Sequence, residues 1–418
     1  MRKHLFLITL LFCGIGAGAQ DTTQQIVAGR KNSPAQQEKP YIILISADGF
    51  RHDYVEKHGA PHIHAFGKQG VRAEYMRPSY PSLTFPNHYT IATGLYPSHH
   101  GLVDNSFYER STGEAYTMSK WQRVRDGKWY GGTPLWVLAE RQGMVSASFY
   151  WVGTEAPIGG VLPTYHYYYN NKIPIDKRIQ QVVDWLQLPP EIRPHFISFY
   201  FPEVDHEGHT YGPDAEQTQH AVHFVDSAIY QMTEAVKKTG LNVNYIFVAD
   251  HGMTRVDTAH PLYIPAVDSN KAIVSWGGEL VQVYVKNKND IPSIYTQLKQ
   301  GANGYKVVLK DSMPPELHYG TKDDVMDRMG DIFLMSDPAR VFVAPGKTPK
   351  AGAHGFDPYQ VKDMRTIFYA WGPAFKKRKV IGPIANVDVY AVIANVLGLK
   401  YEHTIDGTDK VAKKVLIR

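Results

Sequence analysis

Short apolar runs recur along the chain, and most of them end in acidic residues. Tyr41 to Ala47 (YIILISA) runs into Asp48-Gly49, and His195 to Phe201 (HFISFYF) runs into Glu203 and Asp205. Val243 to Ala249 (VNYIFVA) runs into Asp250-His251-Gly252, and Val145 to Trp151 is apolar and aromatic. Runs of this length without polar alternation are the pattern of strands buried on both faces of a mostly parallel sheet. Helical periodicity lies between and beyond them. Ala215 to Lys238 carries Ala221, Phe224, Val225, Ala228, Ile229 and Met232 at helical spacing, with Gly240 as a stop. Residues 385–397 form a second such segment before Gly398, and Phe85 to Thr93 looks like the start of a third. This alternation predicts an α/β fold, an open central sheet with helices on both faces. Residues from about 270 to 340 break the pattern. Glu279 to Val285 alternates like a strand, Ile294 to Lys299 looks helical and Asp331 to Met335 is strand-like, which predicts a small α+β insertion. Residues 20–39 are polar and rich in Gln, with Ser33-Pro34 and Lys39-Pro40, and are expected to be a flexible lead-in.

Composition places the chain in the soluble globular class, with 43% hydrophobic and 20% charged residues over 418 positions. That length fits one large α/β domain over residues 40–418, with the insertion inside it. The formal net charge of +5 is mild and dispersed, and no basic run interleaves with aromatics. A stable nucleic-acid partner is therefore not expected, and Lys376-Lys377-Arg378-Lys379 reads as a solvated turn. Arg2 and Lys3, the apolar run Leu5 to Ile15 and Ala17-Gly18-Ala19 have the form of a signal peptide over residues 1–19. The single cysteine, Cys13, falls inside it, and Phe12 before it argues against a lipid anchor. A mature chain without cysteine suggests a bacterial exported protein, periplasmic or secreted. No later segment is long and apolar enough to span a membrane.

Chemistry concentrates in a few clusters. They are Asp48-Gly49, the segment Pro81 to His88 around Thr84, Asp205-His206-Glu207-Gly208-His209, Asp250-His251-Gly252-Met253 and Ala353-His354-Gly355. Taken singly, each has a plainer explanation: a turn, a helix-surface pair, a core histidine or, for Thr84, a helix N-cap. Together they place three carboxylates at three strand ends, with histidines at two of them. Such a like-charge cluster is costly without cations, and Asp and His are ligands for zinc and similar metals. A hydroxyl at a helix N-terminus, where backbone N–H groups favour negative charge, is placed to act as a metal-activated nucleophile.

The stretch SYPSLTFPNHYTIATGLYPSHHGLVDN, Ser79 to Asn105, closely resembles the nucleophile region of the nucleotide pyrophosphatase/phosphodiesterase family of the alkaline phosphatase superfamily. The resemblance runs in order through Asp48-Gly49, WVGTEAPIGGVLPTYHYYYN, Asp205 to His209, Asp250 to Met253 and Gly352 to Gly355. It implies an alkaline-phosphatase-like fold and two zinc ions. One would be bound by Asp48, Thr84, Asp250 and His251, the other by Asp205, His209 and His354. It further implies that Thr84 attacks phosphorus to give a covalent intermediate, that Asn105 hydrogen-bonds a phosphoryl oxygen, and that Phe85 and Tyr169 flank the base of a nucleotide. Tyr165, Tyr167 and Tyr168 stand beside Tyr169, so a packed aromatic loop is the alternative for that cluster. His88 and His206 are expected to pack and hydrogen-bond rather than ligate. Leu83 stands before the nucleophile where some animal relatives carry lysine, and the cysteine-rich and nuclease-like modules of the larger animal enzymes are absent. The chain thus resembles the stand-alone bacterial catalytic domain.

The expected activity is that of a phosphodiesterase I or nucleotide pyrophosphatase acting on dinucleotides, nucleoside triphosphates and nucleotide sugars. Hydrolysis of lipid headgroup diesters, phosphonates or phosphomonoesters is the rival on the same scaffold. A monoesterase would want an arginine clamp, and only Arg51 and Arg77 are near in sequence. A non-catalytic metal- or nucleotide-binding protein is the rival from another class.

Overall fold

The computed structural model describes residues 22–417, so the leader-like residues 1–19 lie outside it. Nine strands form the central sheet: β1 (Gln25–Ile26), β2 (Tyr41–Ala47), β3 (Val71–Ala73), β4 (Ser146–Phe149), β5 (Tyr165–His166), β6 (Phe196–Phe201), β7 (Val243–Val248), β8 (Phe368–Trp371) and β9 (Lys379–Ile381). Their order is β1-β5-β4-β6-β2-β7-β8-β3-β9. The run from β5 to β7 is parallel throughout, β3 and β9 pair in parallel, and β1 and β8 run against their neighbours.

Successive residues of β2 feed opposite cores, as the pleat requires. Ile42 and Leu44 pack with helices α2 (Thr84–Thr93), α3 (Leu135–Arg141) and α7 (Asp388–Leu397), and Ile43 and Ile45 pack on the other face. That second face is covered by α1 (Pro61–Gln69), α4 (Ile175–Gln187) and α6 (Glu216–Lys237), with α5 (Glu203–Tyr211) following β6. Helices thus cover both faces of a mostly parallel sheet. Within α6 the stripe Ala221, Val225, Ala228, Ile229 and Met232 is buried, but Phe224 turns outward.

Residues 272–336 form a separate four-stranded antiparallel sheet, Ala272–Trp276, Leu280–Val285, Ile332–Ser336 and Tyr305–Leu309 in spatial order, with its own core against the helix Ile291–Gln300. One buried guanidinium ties it to the main body. Arg328 donates to Glu109 Oε1 (2.8 Å) and to the carbonyls of Gly101, Trp129 and Lys128, at 3.1, 2.7 and 3.2 Å. Removing the carboxylate leaves that charge buried and unpaired. Glu109→Ala is expected to cost about 3–5 kcal/mol in denaturant unfolding, and a loss under about 1 kcal/mol would show that the carbonyls suffice.

The lead-in is corrected by the structure. Residues 25–37 are tied to the body: β1 pairs with β5, and Pro34–Gln37 forms a helical turn. Buried Asn32 donates to Pro190 O (2.8 Å) and Arg193 O (2.7 Å) and accepts from the Val145 N–H (2.7 Å). These contacts run through backbone and amide groups, so they need no apolar pattern.

Candidate active site

The chemistry-bearing residues meet at the carboxyl edge of the sheet. Asp48 follows β2 directly, Asp250 lies two residues beyond β7, and Asp205 sits in the first turn of α5 just after β6. Gly49 makes this convergence possible. It has φ +70°, and a Cβ there would lie 3.0 Å from Asp205 Cα. Thr84 is the first residue of α2, after Leu83 in extended conformation. Its hydroxyl does not cap the helix. Oγ1 instead lies 3.2 Å from His251 Nε2, which is 3.2 Å from Asp48 Oδ1 and 2.9 Å from Asp250 Oδ2.

A second group stands beside the first. Asp205 Oδ1 is 3.4 Å from His209 Nε2 and 3.5 Å from His354 Nε2, and the two Nε2 atoms are 3.0 Å apart. The His251 and His354 rings stack at 3.5 Å and join the groups. All seven residues expected to hold metal are therefore brought together. Liganding atoms of Asp48, Asp250 and His251 lie within 4.8 Å of one another, as do those of Asp205, His251 and His354, so His251 borders both groups.

The donor chemistry suits cations. Nδ1 of His209, His251 and His354 donates to the carbonyls of Gly352, Gly252 and Ser82 at 2.8, 2.9 and 2.9 Å. That fixes the tautomer and turns each Nε2 lone pair inward. Asp48 Oδ1, Asp205 Oδ1 and Asp250 Oδ2 are buried and accept no hydrogen bond. Three orphaned carboxylate oxygens facing three imidazole lone pairs are mutually repulsive unless positive charge lies between them.

The protein's own groups answer part of that charge through His251. Burial, then the charges of Asp250 and Asp205, push Asp48 up to about 7. Burial would raise Asp250 too, but His251 and His88 hold it well below the usual carboxylate range. His251 is drawn well above the ordinary imidazole range against its burial by Asp250 and Asp48, whereas burial and then His251 and His209 hold His354 well below it.

A further layer of residues positions these groups. Fully buried His88 meets Ser46 Oγ (2.9 Å), the Thr84 carbonyl (3.0 Å) and Asp250 Oδ2 (3.2 Å). Tyr200 donates to Asp48 Oδ2 at 2.5 Å. Ser46 and Tyr200 are register partners on adjacent strands, and period-two counting back from Asp48 would have pointed to Ser46 in the sequence. Glu279, from the insertion, also reaches the neighbourhood of the site without any signal in the sequence.

The remaining expected residues line the surroundings. Asn105 Oδ1 accepts from the Phe85 N–H (3.0 Å), which leaves its amide NH2 as the donor. Phe85 is half-buried, with its ring 6.4 Å from that of Tyr116. Tyr165 and Tyr167 are core residues, and Tyr168 lies under the Arg125 guanidinium at 3.6 Å. Tyr169 alone of the four is exposed, at 45%, with its ring 6.2 Å from that of Tyr200. The Phe85 and Tyr169 rings do not touch each other. Neither nearby arginine serves the site: Arg51 pairs with Asp53 and Asp363, and Arg77 lies over the Tyr359 ring.

Comparison with known proteins is consistent across sequence and structure. The profile of the type I phosphodiesterase / nucleotide pyrophosphatase family matches residues 42–357. Venom phosphodiesterase 2 of Crotalus adamanteus is 34% identical over 389 residues, 89% of this chain and 47% of the relative. Ectonucleotide pyrophosphatase/phosphodiesterase family member 1 of Mus musculus is 31% identical over 382 residues, 88% of this chain and 42% of the relative. The chain thus spans about half the length of these curated relatives. The solved structure of murine ectonucleotide pyrophosphatase/phosphodiesterase 5 superposes with a TM-score of 0.83 at 26% identity, covering 90% of this chain and all of that one. An inactive threonine-to-alanine variant of the same murine protein, solved in complex with AMP, superposes equally well at 25% identity.

Proposed function

The chain belongs to the type I phosphodiesterase / nucleotide pyrophosphatase family, with an alkaline-phosphatase-like fold, and from that premise we propose that it is an exported bacterial two-zinc hydrolase of nucleotide phosphodiester and pyrophosphate bonds. The observation that carries the reading is the Thr84 hydroxyl, aimed at His251 among orphaned carboxylate oxygens. Asp48, Thr84, Asp250 and His251 would hold one zinc, and Asp205, His209 and His354 the other. Zinc in the first set would favour the Thr84 alkoxide, and zinc in the second, at Asp205, His209 and His354, would offset charge on the leaving oxygen.

Thr84 Oγ1 attacks phosphorus, and the bond to the leaving oxygen breaks as the phosphothreonine diester forms. Water then attacks the same phosphorus, the Thr84 bond breaks, and the 5′-nucleotide departs. The positive end of α2 meets the growing charge on the phosphoryl group. The Asn105 amide donates to a non-bridging oxygen, a neutral donor suited to the single charge of a diester. His88 holds the Thr84 carbonyl in place and packs beside Asp250, and Tyr200 holds Asp48 through its other carboxylate oxygen. Phe85 and Tyr169 flank the base; AMP bound to the murine relative supports a nucleotide substrate. Export rests on the leader-like residues 1–19, and mass analysis of the mature N-terminus tests it.

The deciding experiment compares hydrolysis of nitrophenyl thymidine monophosphate, nitrophenyl phosphate and nitrophenyl phosphocholine by zinc-loaded protein. The nucleotide diester is expected to be turned over fastest. A preference for the monoester or the phosphocholine would overturn the substrate assignment. Phe85→Ala and Tyr169→Ala are each expected to raise KM for the nucleotide ester about ten-fold, while a bis-nitrophenyl phosphate lacking a base is little affected. Equal losses on both substrates would show that the two rings do not read the base.

A further inference from the structure

Glu279 brings an uncompensated carboxylate to the edge of the site. It stands in the turn between the insertion strands Ala272–Trp276 and Leu280–Val285. A Cβ on Gly355, the residue after His354, would lie 2.7 Å from Glu279 Oε2 and 3.0 Å from Leu83 Cδ2. Gly355 has φ +106°, and any larger residue there would displace the carboxylate. Glu279 and Leu83, the residue before the nucleophile, therefore both crowd Gly355, the residue after a member of the second ligand group. Its backbone is fixed. Phe342 N–H donates to Gly278 O (2.6 Å), Ser336 N–H to Glu279 O (3.0 Å), and Gly277 N–H to Leu280 O (2.9 Å).

No basic side chain among the described residues forms an ion pair with it. The cavity it borders, about 40 Å³, is lined also by Asp337 and Asp357, with Lys306 as the sole cationic side chain. The neighbouring Leu83 offers no positive charge.

Resting on the reading above, in which Asp205, His209 and His354 face the leaving oxygen, we propose that Glu279 selects leaving groups by charge. It disfavours polyanionic leaving groups, such as the pyrophosphate of a nucleoside triphosphate, relative to an uncharged alcohol or phenol. At the effective dielectric of a protein cleft, a unit charge near the reacting centre changes a rate by about ten-fold.

The test compares ATP with nitrophenyl thymidine monophosphate as substrates. Glu279→Gln is expected to raise kcat/KM for ATP about five- to ten-fold while the nitrophenyl ester changes less than about two-fold. In the wild type, the ratio of ATP to nitrophenyl ester kcat/KM should rise as ionic strength goes from about 0.02 to about 0.5 M, because screening weakens the repulsion. That arm does not depend on the variant folding. An unchanged ratio in Glu279→Gln, a parallel fall on both substrates, or a wild-type ratio that declines with salt overturns the proposal. Failure of the wild type to hydrolyse the nitrophenyl ester at all would instead remove the phosphodiesterase reading on which it rests.

Discussion

Thr84→Ala is expected to lower kcat for nitrophenyl thymidine monophosphate by at least about 10^3-fold while leaving the thermal unfolding midpoint within a few degrees of wild type. The large kinetic effect follows from the position of Oγ1. It is the hydroxyl that faces His251 and, through it, Asp48 and Asp250. The small structural effect follows from the same geometry. Thr84 is the first residue of α2, its hydroxyl satisfies no helix N–H, and alanine is the best helix former. The backbone contacts remain, including the Thr84 carbonyl to His88. Acid quench of the wild type during turnover should reveal a nucleotidyl adduct on Thr84 by mass spectrometry, absent in the variant. Activity within ten-fold of wild type would remove Thr84 as the nucleophile.

Exhaustive chelation should abolish turnover, and zinc should restore it with about two equivalents bound per chain. The physical basis is the set of orphaned oxygens on Asp48, Asp205 and Asp250, opposed by the inward Nε2 lone pairs. The stripped protein should also unfold at a lower temperature than the loaded one, because ligand binding to the native state stabilises it by mass action. That second readout separates loss of the ions from inhibition by the chelator. Full activity in metal-free protein would sink the two-ion mechanism, and one tightly bound equivalent would leave His251 serving a single site.

Much of this site was legible in the sequence because its chemistry sits where apolar runs stop. Tyr41–Ala47 and Val243–Val248 announce themselves as buried strands, and the acids that follow them fall at the sheet's carboxyl edge. The segment around Thr84 carries its resemblance in contiguous residues. What stayed hidden depends on contacts between distant segments. Tyr200 looks like one more aromatic of a buried strand until register sets it opposite Ser46 and its hydroxyl reaches Asp48. Glu279 lies in an inserted sheet, and nothing local says that its turn folds back beside Gly355. Asn32 sits in a polar stretch whose anchoring uses carbonyls and amides, which hydrophobic patterning cannot register.

The tethered N-terminal segment also bears on how this fold keeps its solubility. β5 would otherwise end the sheet with open backbone donors and acceptors, flanked by aromatic side chains. Exposed edges of that kind recruit strands from other molecules. The two residues of β1 pair with it, and the Val27 N–H donates to the Thr164 carbonyl (2.8 Å) just beyond. A fragment cut at the start of the family match, residue 42, would keep every catalytic group yet lose this guard. Edge-to-edge association would be its characteristic failure, with the hydrolytic centre still intact.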